Sequence, residues 1–146
     1  MITVTKMPNL NIEMRPSAME LRNIGMDIRE HIKKRTRSGV DVNYHQFRPY
    51  SPLYEDYRRK IGKTTDIVNL ENRSEMHNSL AVKVNANDAE IYYSDSHRAM
   101  VAFHHQNGLN RMPKREHFGL NDADSRKFLD KLANAVKTRV SQQWRN

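Results

Sequence analysis

The sequence predicts an α+β fold in which a long N-terminal helix and a long C-terminal helix frame a small, mainly antiparallel sheet. Apolar residues recur at helical spacing over 18–38 and again after Asn121, whereas they alternate with polar residues over 80–93. A chain of 146 residues suits one domain, so we expect a single domain over 1–146. Its predicted irregular parts are an extended arm or edge strand over 1–16 and loops over 40–52 and 62–69.

The first helix has clear signals at both of its ends. Ser17 and Glu20 match a capping box, in which each side chain accepts a backbone N–H of the other residue. Gly39 is well placed to end the helix in a left-handed conformation. The arm before the helix is predicted because Ile2 and Val4 alternate with threonines. We expect the helix to run from Ala18 to Ser38 and to bury one stripe: Leu21, Ile24, Ile28 and Ile32.

A second, short helix follows the proline-containing loop over 40–52. Ser51 followed by Pro52 is typical of an N-cap and a first helical residue, and Gly62 marks the end of the helix. Leu53, Tyr54 and Tyr57 are predicted to share one face of it.

The clearest β signal is a hairpin with a turn at Asn87 and Asp88. For Ala99–His105 the pattern allows either a helix or a buried strand. Arg111–Phe118 contains Pro113 and predicts a loop and an edge strand. Alternating residues on one face of the hairpin are Leu80, Val82, Val84 and Ala86, then Ala89, Ile91 and Tyr93 on the return strand.

The last helix is predicted to begin at Asn121 as its N-cap, with Asp122 and Asp124 near the positive end of the helix dipole. Its predicted apolar stripe is Phe128, Leu129, Leu132, Val136 and Val140.

Composition excludes several kinds of site. With no cysteine, the chain can form no disulfide, thiolate nucleophile or cysteine-ligated metal site. The longest apolar run, Ala99–Phe103, is too short to cross a bilayer, and the residues after Met1 lack a signal-peptide pattern. We expect neither secretion nor membrane insertion.

No motif specifies an enzyme. His104 and His105, with His97 or His117, are the one conceivable metal or nuclease cluster, but no spacing typical of metal ligands accompanies them. Nucleophile-elbow, P-loop and dinucleotide-binding motifs are absent. We therefore expect no catalytic residues, no metal and no cofactor, and we expect substitutions at His104 and His105 to affect folding alone.

The formal charge of +8 suggests an acidic or nucleic-acid partner. Residues 1–60 carry +5, residues 61–110 carry −2, and residues 111–146 carry +5. The densest basic cluster is either a solvated helix end or a nucleic-acid contact. Arg35 continues the apolar stripe, so it must extend to the edge of the core or meet a carboxylate. The candidate nucleic-acid-binding residues are Lys33, Lys34, Arg35 and Arg37.

Five aromatic residues fall within fourteen positions beside several arginines. Such residues are enriched at protein interfaces and stack on unpaired bases, although they also pack in cores, and the pattern leaves these alternatives open. The five are Tyr44, Phe47, Tyr50, Tyr54 and Tyr57.

Motifs in a characteristic order resemble the phage virion morphogenesis family, also called tail completion proteins, of tailed bacteriophages. The resemblance covers about residues 17–142. One departure is at Arg73–Ser74, where the family commonly has Thr-Gly; a glycine-dependent turn is therefore in question, and Ser74 is instead a candidate N-cap of a short helix reaching His77 or Leu80. The motifs are Pro49–Tyr54 with Lys60, Val68–Leu70, Met76, Ser79–Leu80, Ala102, His105–Gly108, Pro113–Leu120, and Asp122 or Asp124.

The resemblance implies a non-catalytic structural protein at the head–tail junction or tail end of a virion, present in the host cytoplasm during assembly. It implies a ring of identical subunits, for example a hexamer, that contacts other head–tail connector and tail proteins and passively contacts packaged DNA, with no membrane partner. The second hypothesis is a small basic nucleic-acid-binding protein. The interface candidates are Tyr50, Ser51, Tyr54, Lys60, Arg115 and Phe118.

Overall fold

The computed structural model describes residues 14–143 and 145, so most of the predicted arm over 1–16 lies outside the described residues. The fold is α+β, as predicted, with a long helix near each end and a two-stranded antiparallel sheet. The elements are α1 (Ala18–Arg37), α2 (Pro52–Lys60), α3 (Glu75–Asn78), β1 (Leu80–Val84), β2 (Ala89–Tyr93), α4 (Ser96–Asn107) and α5 (Asp122–Gln143).

Helix α1 begins and ends as the sequence predicts. The Ser17 N–H donates to the Glu20 carboxylate at 2.7 Å, and the Glu20 N–H donates to Ser17 Oγ at 3.1 Å. After the C-cap Ser38, Gly39 adopts φ +82°, the left-handed conformation that glycine tolerates. The predicted apolar stripe is buried in full: Leu21, Ile24, Ile28 and Ile32.

The hairpin packs across α1. Its register pairs Leu80 with Tyr93 and Val84 with Ala89, which confirms the predicted strands. The strands approach α1 closely at Gly25, where an added Cβ would lie 2.7 Å from Val82 Cγ1. Glycine at this position therefore sets the distance between the helix and the sheet.

Helix α5 runs antiparallel to α1 and packs with α1 and the hairpin in a first core. Its buried residues are Leu21, Ile24, Ile28, Ile32, Leu80, Phe128 and Leu132. Lys131 of α5 pairs with Asp27, and Arg139, farther along α5, pairs with Glu20 nearer the start of α1. Asn121 caps it as predicted, accepting the Asp124 N–H at 2.8 Å. Leu129 departs from the predicted stripe and is 43% exposed, and Val140 is half-buried, whereas three stripe residues are buried: Phe128, Leu132 and Val136.

Ala99–His105 belongs to helix α4, which resolves the open alternative. The predicted edge strand within Arg111–Phe118 is wrong, because the chain there is irregular. The Gln106 side-chain oxygen accepts the N–H groups of His117 and Phe118, both at 3.0 Å, so a helix side chain replaces a strand partner. A further backbone bond joins the Arg115 N–H to the His105 carbonyl at 2.7 Å.

The turn before α3 is left-handed at Ser74, the position where a glycine-dependent turn was in question. Ser74 is the N-cap residue of the short helix α3, as predicted, but it has φ +61° and its side chain makes no capping hydrogen bond. Its hydroxyl instead donates to the Glu71 carboxylate. The position is left-handed although it carries a side chain, a conformation that costs an L-residue about 1 kcal/mol.

A second core lies beneath α2 and the loops on either side of it. Both loops, over 40–51 and 61–74, are irregular except for one isolated bridge between Val40 and Gln46. The buried apolar residues of this core are Phe47, Tyr50, Val68, Leu70, Met76 and Ala102.

Candidate interaction surface

A buried arginine fixes α2 to the loop that follows it. The Arg58 side chain is 1% exposed, although it belongs to a short helix on the surface. Its guanidinium donates to the Thr64 carbonyl at 2.8 Å, to the Glu71 carbonyl at 3.0 Å and to Asn69 Oδ1 at 3.3 Å. These acceptors tie three points of one loop to one side chain.

A second buried arginine, Arg115, also lies over the Tyr50 ring. Arg58 lies 4.8 Å from the centre of the Tyr50 ring, and Arg115 lies 5.3 Å from it. Arg115 also donates to the carbonyls of Arg48 and Pro49, each at 3.0 Å. Burial is the main reason that the pKa of the Tyr50 hydroxyl lies above its usual value, and this hydroxyl accepts the Leu70 N–H at 3.2 Å.

These contacts correct part of the predicted interface. Tyr50 and Arg115 are 8% and 4% exposed, so they build the second core and do not form a docking surface. Tyr54 and Phe118 are half-buried and pack against the two cores. Ser51 is exposed and caps α2, where its hydroxyl accepts the Tyr54 N–H, and Lys60 is exposed at the end of the helix.

The apolar surface of α2 faces solvent. Leu53 is 85% exposed, Tyr57 43% and Ile61, the C-cap residue, 41%. Because these three residues follow one another at intervals of four, they form one stripe along the helix. We call these three residues the α2 stripe. The sequence predicts that Leu53 and Tyr57 share one face, but no local signal identifies Arg58 as the residue that turns this face outward.

The predicted basic cluster is largely engaged within the chain. Arg35 is 3% exposed and donates to the His117 carbonyl at 2.6 Å, so it is unable to contact nucleic acid at the surface. It does not extend to solvent, and no carboxylate of residues 14–143 forms an ion pair with it, although the charges of Asp124 and Asp41 act on its guanidinium. Neither expectation is therefore met within the described chain. Lys33 lies 3.6 Å from Glu30, and Arg37 lies 3.3 Å from Glu71. Lys34 is exposed.

The histidines near α4 are structural in their contacts. His117 is 1% exposed and lies with Nε2 3.1 Å from the Tyr93 hydroxyl and Nδ1 3.0 Å from the Arg115 carbonyl. Burial lowers the pKa of His117 to about 4, and burial with the nearby charge of His117 lowers the pKa of His105 to about 4. Both rings are therefore neutral at pH 7. Across residues 14–143 and 145, no group of three His, Asp or Glu side chains is arranged to hold a metal ion.

One apolar groove lies between α1, β2, α5 and the segment over 118–120. Its volume is about 300 Å³, and no β1 residue lines it. The outer edge of β2 makes no backbone hydrogen bond to any other residue of the described chain. We call this the β2 groove; its principal lining residues are Ile24, Ile28, Ile91, Leu120, Phe128 and Leu132.

Comparison of the chain with protein-family models, with curated proteins and with solved structures finds no significant match. In the part of the chain that the structure describes, no helix has the length and apolar character needed to span a membrane.

Proposed function

We propose that this chain is a structural virion assembly protein of a tailed bacteriophage, a tail completion or head–tail neck component that forms a homo-oligomeric ring. The exposed α2 stripe is the observation that carries the proposal. The ordered motifs over residues 17–142 support the same function through their resemblance to the virion morphogenesis family. In this function the protein acts by shape and contact, without catalysis.

The α2 stripe has the features of a contact surface. Leu53, at 85% exposure, leaves almost its whole apolar side chain in water. Burying a leucine side chain contributes about 2 kcal/mol, so burial of the stripe against a partner favours association. The stripe is also held in place, because Arg58 secures α2 from its buried side. A surface that is ordered before binding loses less conformational entropy when a partner covers it.

A ring also needs two different complementary surfaces on each subunit, since head-to-tail contacts join unlike patches. The α2 stripe and the β2 groove lie on different elements, and the groove is lined by residues of the first core, whereas the stripe is exposed on α2. The chain therefore offers the two unlike surfaces that such an assembly uses. The positive charge of each copy, +8, is then balanced by acidic virion partners or by DNA phosphates.

The second candidate function, binding of nucleic acid, rests on the charge. Among its four predicted contact residues, Arg35 is buried and Lys33 and Arg37 face carboxylates. A band-shift titration tests it, because binding through phosphates weakens steeply as salt rises. Tight binding of DNA by a chain that stays monomeric would favour this candidate over the ring.

The leading proposal is tested by comparing two matched substitutions. Leu53 and Met19 are both the second residue of their helices, and both are largely exposed, at 85% and 67%. Aspartate is favourable in the first turn of a helix, so both variants are expected to fold. Light scattering coupled to size-exclusion chromatography measures the mass of each species.

Leu53→Asp is expected to shift the assembled protein towards the monomer, because a carboxylate would be buried in the contact. Met19→Asp is expected to assemble as the unsubstituted protein does. Equal assembly of both variants would remove the α2 stripe from the interface, and assembly by neither the variants nor the unsubstituted chain would refute the proposed ring.

A further inference from the structure

The hairpin leaves the outer edge of each strand without a partner. The Asn85 N–H donates to the Asp88 carbonyl at 2.9 Å and the Ser94 N–H to the Ser79 carbonyl at 2.7 Å, which identifies the hydrogen-bonded pairs at both ends of the ladder. Because such pairs alternate with pairs that are not hydrogen-bonded, the peptide groups of the intervening pairs point away from the hairpin. No backbone hydrogen bond joins these outward groups to any residue of 14–143 outside the hairpin. They belong to Val82 and Val84 on β1 and to Ala89 and Ile91 on β2.

The two strands match each other face by face. Lys83 lies opposite Glu90, and both are exposed on one face of the hairpin. Val82 lies opposite Ile91, and both are half-buried on the face that packs against α1. Opposite charges that face each other across two strands stabilise the pair, whereas like charges destabilise it. The fold itself therefore shows that β1 and β2 are complementary strands.

We propose that β1 of one copy pairs through its outer edge with the outer edge of β2 in the next copy, which joins the hairpins of the ring into one antiparallel sheet. This inference rests on the proposed ring and names one of its contacts. Each copy uses two unlike edges on opposite sides of its hairpin, as a head-to-tail contact requires. Strand pairing of this kind satisfies the outward backbone groups of both copies.

The charges on the exposed face favour this arrangement over a two-fold one. Lys83 and Glu90 alternate along one row of the sheet when β1 is joined to β2 of the next copy. Joining two β1 edges would bring two copies of Lys83 close together, and joining two β2 edges would do the same for Glu90. Like charges at such positions destabilise a sheet, so the hairpin favours head-to-tail pairing.

The apolar face of the hairpin restricts the register of the contact. Ala89 and Ile91 line the β2 groove, and the neighbour's Val82 and Val84 fall on the same face of the joined sheet. These valines therefore lie next to the apolar lining of the groove. A register shifted by one residue would turn Lys83 towards the apolar face, and that register is disfavoured.

The absence of cysteine from the chain permits a direct test. Lys83→Cys is the donor variant, and the acceptors are three positions that alternate along β2 and the turn before it: Asp88→Cys, Glu90→Cys and Tyr92→Cys. The donor is mixed in equal amounts with each acceptor, assembled and oxidised. The expected product with at least one acceptor is a disulfide-linked species of twice 17.2 kDa that holds one copy of each variant. It forms because residues directly opposite each other bring their Cβ atoms within about 5.5 Å.

A matched control and the separate variants keep the result interpretable. Asp66→Cys is the control acceptor, because it also replaces an exposed acidic residue but lies in the loop after α2. Its yield with Lys83→Cys measures random collision. A covalent dimer of the donor alone, or of an acceptor alone, at the yield of the mixture would show two-fold pairing and overturn the proposal. A yield no higher than that of Asp66→Cys with all three acceptors would overturn it as well.

Charge reversal gives a second measurement, made by light scattering, that does not depend on cross-linking. Lys83→Glu and Glu90→Lys each place like charges across the contact and also within the hairpin, so each is expected to weaken the contact about fivefold. In an equal mixture the two variants place opposite charges across every contact between unlike copies, whereas the like charges within each hairpin remain. Assembly is therefore expected to recover in the mixture. A mixture that assembles no better than the single variants would overturn the proposal.

The mass of the unsubstituted protein separates the two levels of inference. A ring that fails either test would overturn the strand pairing and leave the proposed function standing. A monomer at every concentration would overturn both.

Discussion

Replacing Arg58 with methionine is expected to destabilise the fold far more than a change in a surface helix ordinarily does. Arg58→Met keeps most of the length of the side chain and removes the guanidinium. Three hydrogen bonds are lost, to the Thr64 carbonyl, the Glu71 carbonyl and Asn69. The contact with the Tyr50 ring at 4.8 Å is lost as well.

The size of the effect follows from these contacts. Each hydrogen bond contributes about 1 kcal/mol, and the cation–π contact contributes about 1 kcal/mol. The free energy of unfolding is therefore expected to fall by about 4 kcal/mol. For a chain of this length that corresponds to a fall in Tm of about 10 °C.

Arg59→Met is the matched control, since it makes the same chemical change at the next position. The Arg59 side chain is 60% exposed and forms surface ion pairs with Glu55 and Asp56. Its expected cost is below about 1 kcal/mol. Urea unfolding followed by circular dichroism measures both variants. Equal losses for Arg58→Met and Arg59→Met would refute the role assigned to the buried network.

Three other changes test separate parts of the fold. Because the pKa values of His105 and His117 are lowered to about 4 in the fold, from about 6.5 when unfolded, their contribution to stability is full above about pH 7.5 and is lost as pH falls from about 6.5 to 4. At pH 5 the loss is roughly 2 kcal/mol per histidine, and urea unfolding of His105→Leu should show a weaker pH dependence than the unsubstituted chain; an unchanged dependence would contradict the assignment. Ser74→Gly removes the strain of a left-handed serine, about 1 kcal/mol, and also removes the hydrogen bond to Glu71. The urea midpoint is expected to rise; a decrease would show that the hydrogen bond contributes more free energy than the strain costs. Gly25→Ala places a Cβ 2.7 Å from Val82 and should cost about 2 kcal/mol; combining it with Val82→Ala should cost less than the sum of the single changes, and strict additivity would argue against the clash.

Local signals predicted most of the secondary structure. The capping box at Ser17 and Glu20, the left-handed Gly39 and the Asn121 cap each depend on residues within a few positions of one another. The hairpin likewise depends on alternation and on one turn. Signals of this kind act over short distances in the chain, and a single sequence is sufficient to find them.

The buried arginines could not be predicted in the same way, because their partners are distant or irregular. Arg35 occupies the inward face that its spacing predicts, but its acceptor is the carbonyl of His117, 82 residues away. Arg58 is one of three consecutive basic residues, and nothing local distinguishes it from Arg59. Its loop acceptors decide which face of α2 is buried, and so they also decide that Leu53 faces solvent.

We propose that the protein works by joining copies of itself and by contacting other virion proteins. Electron microscopy of the purified protein, with two-dimensional class averages, measures the symmetry of the assembly. Closed rings with a single rotational symmetry are expected. Particles of one subunit alone, at every concentration and salt level, would contradict the proposal.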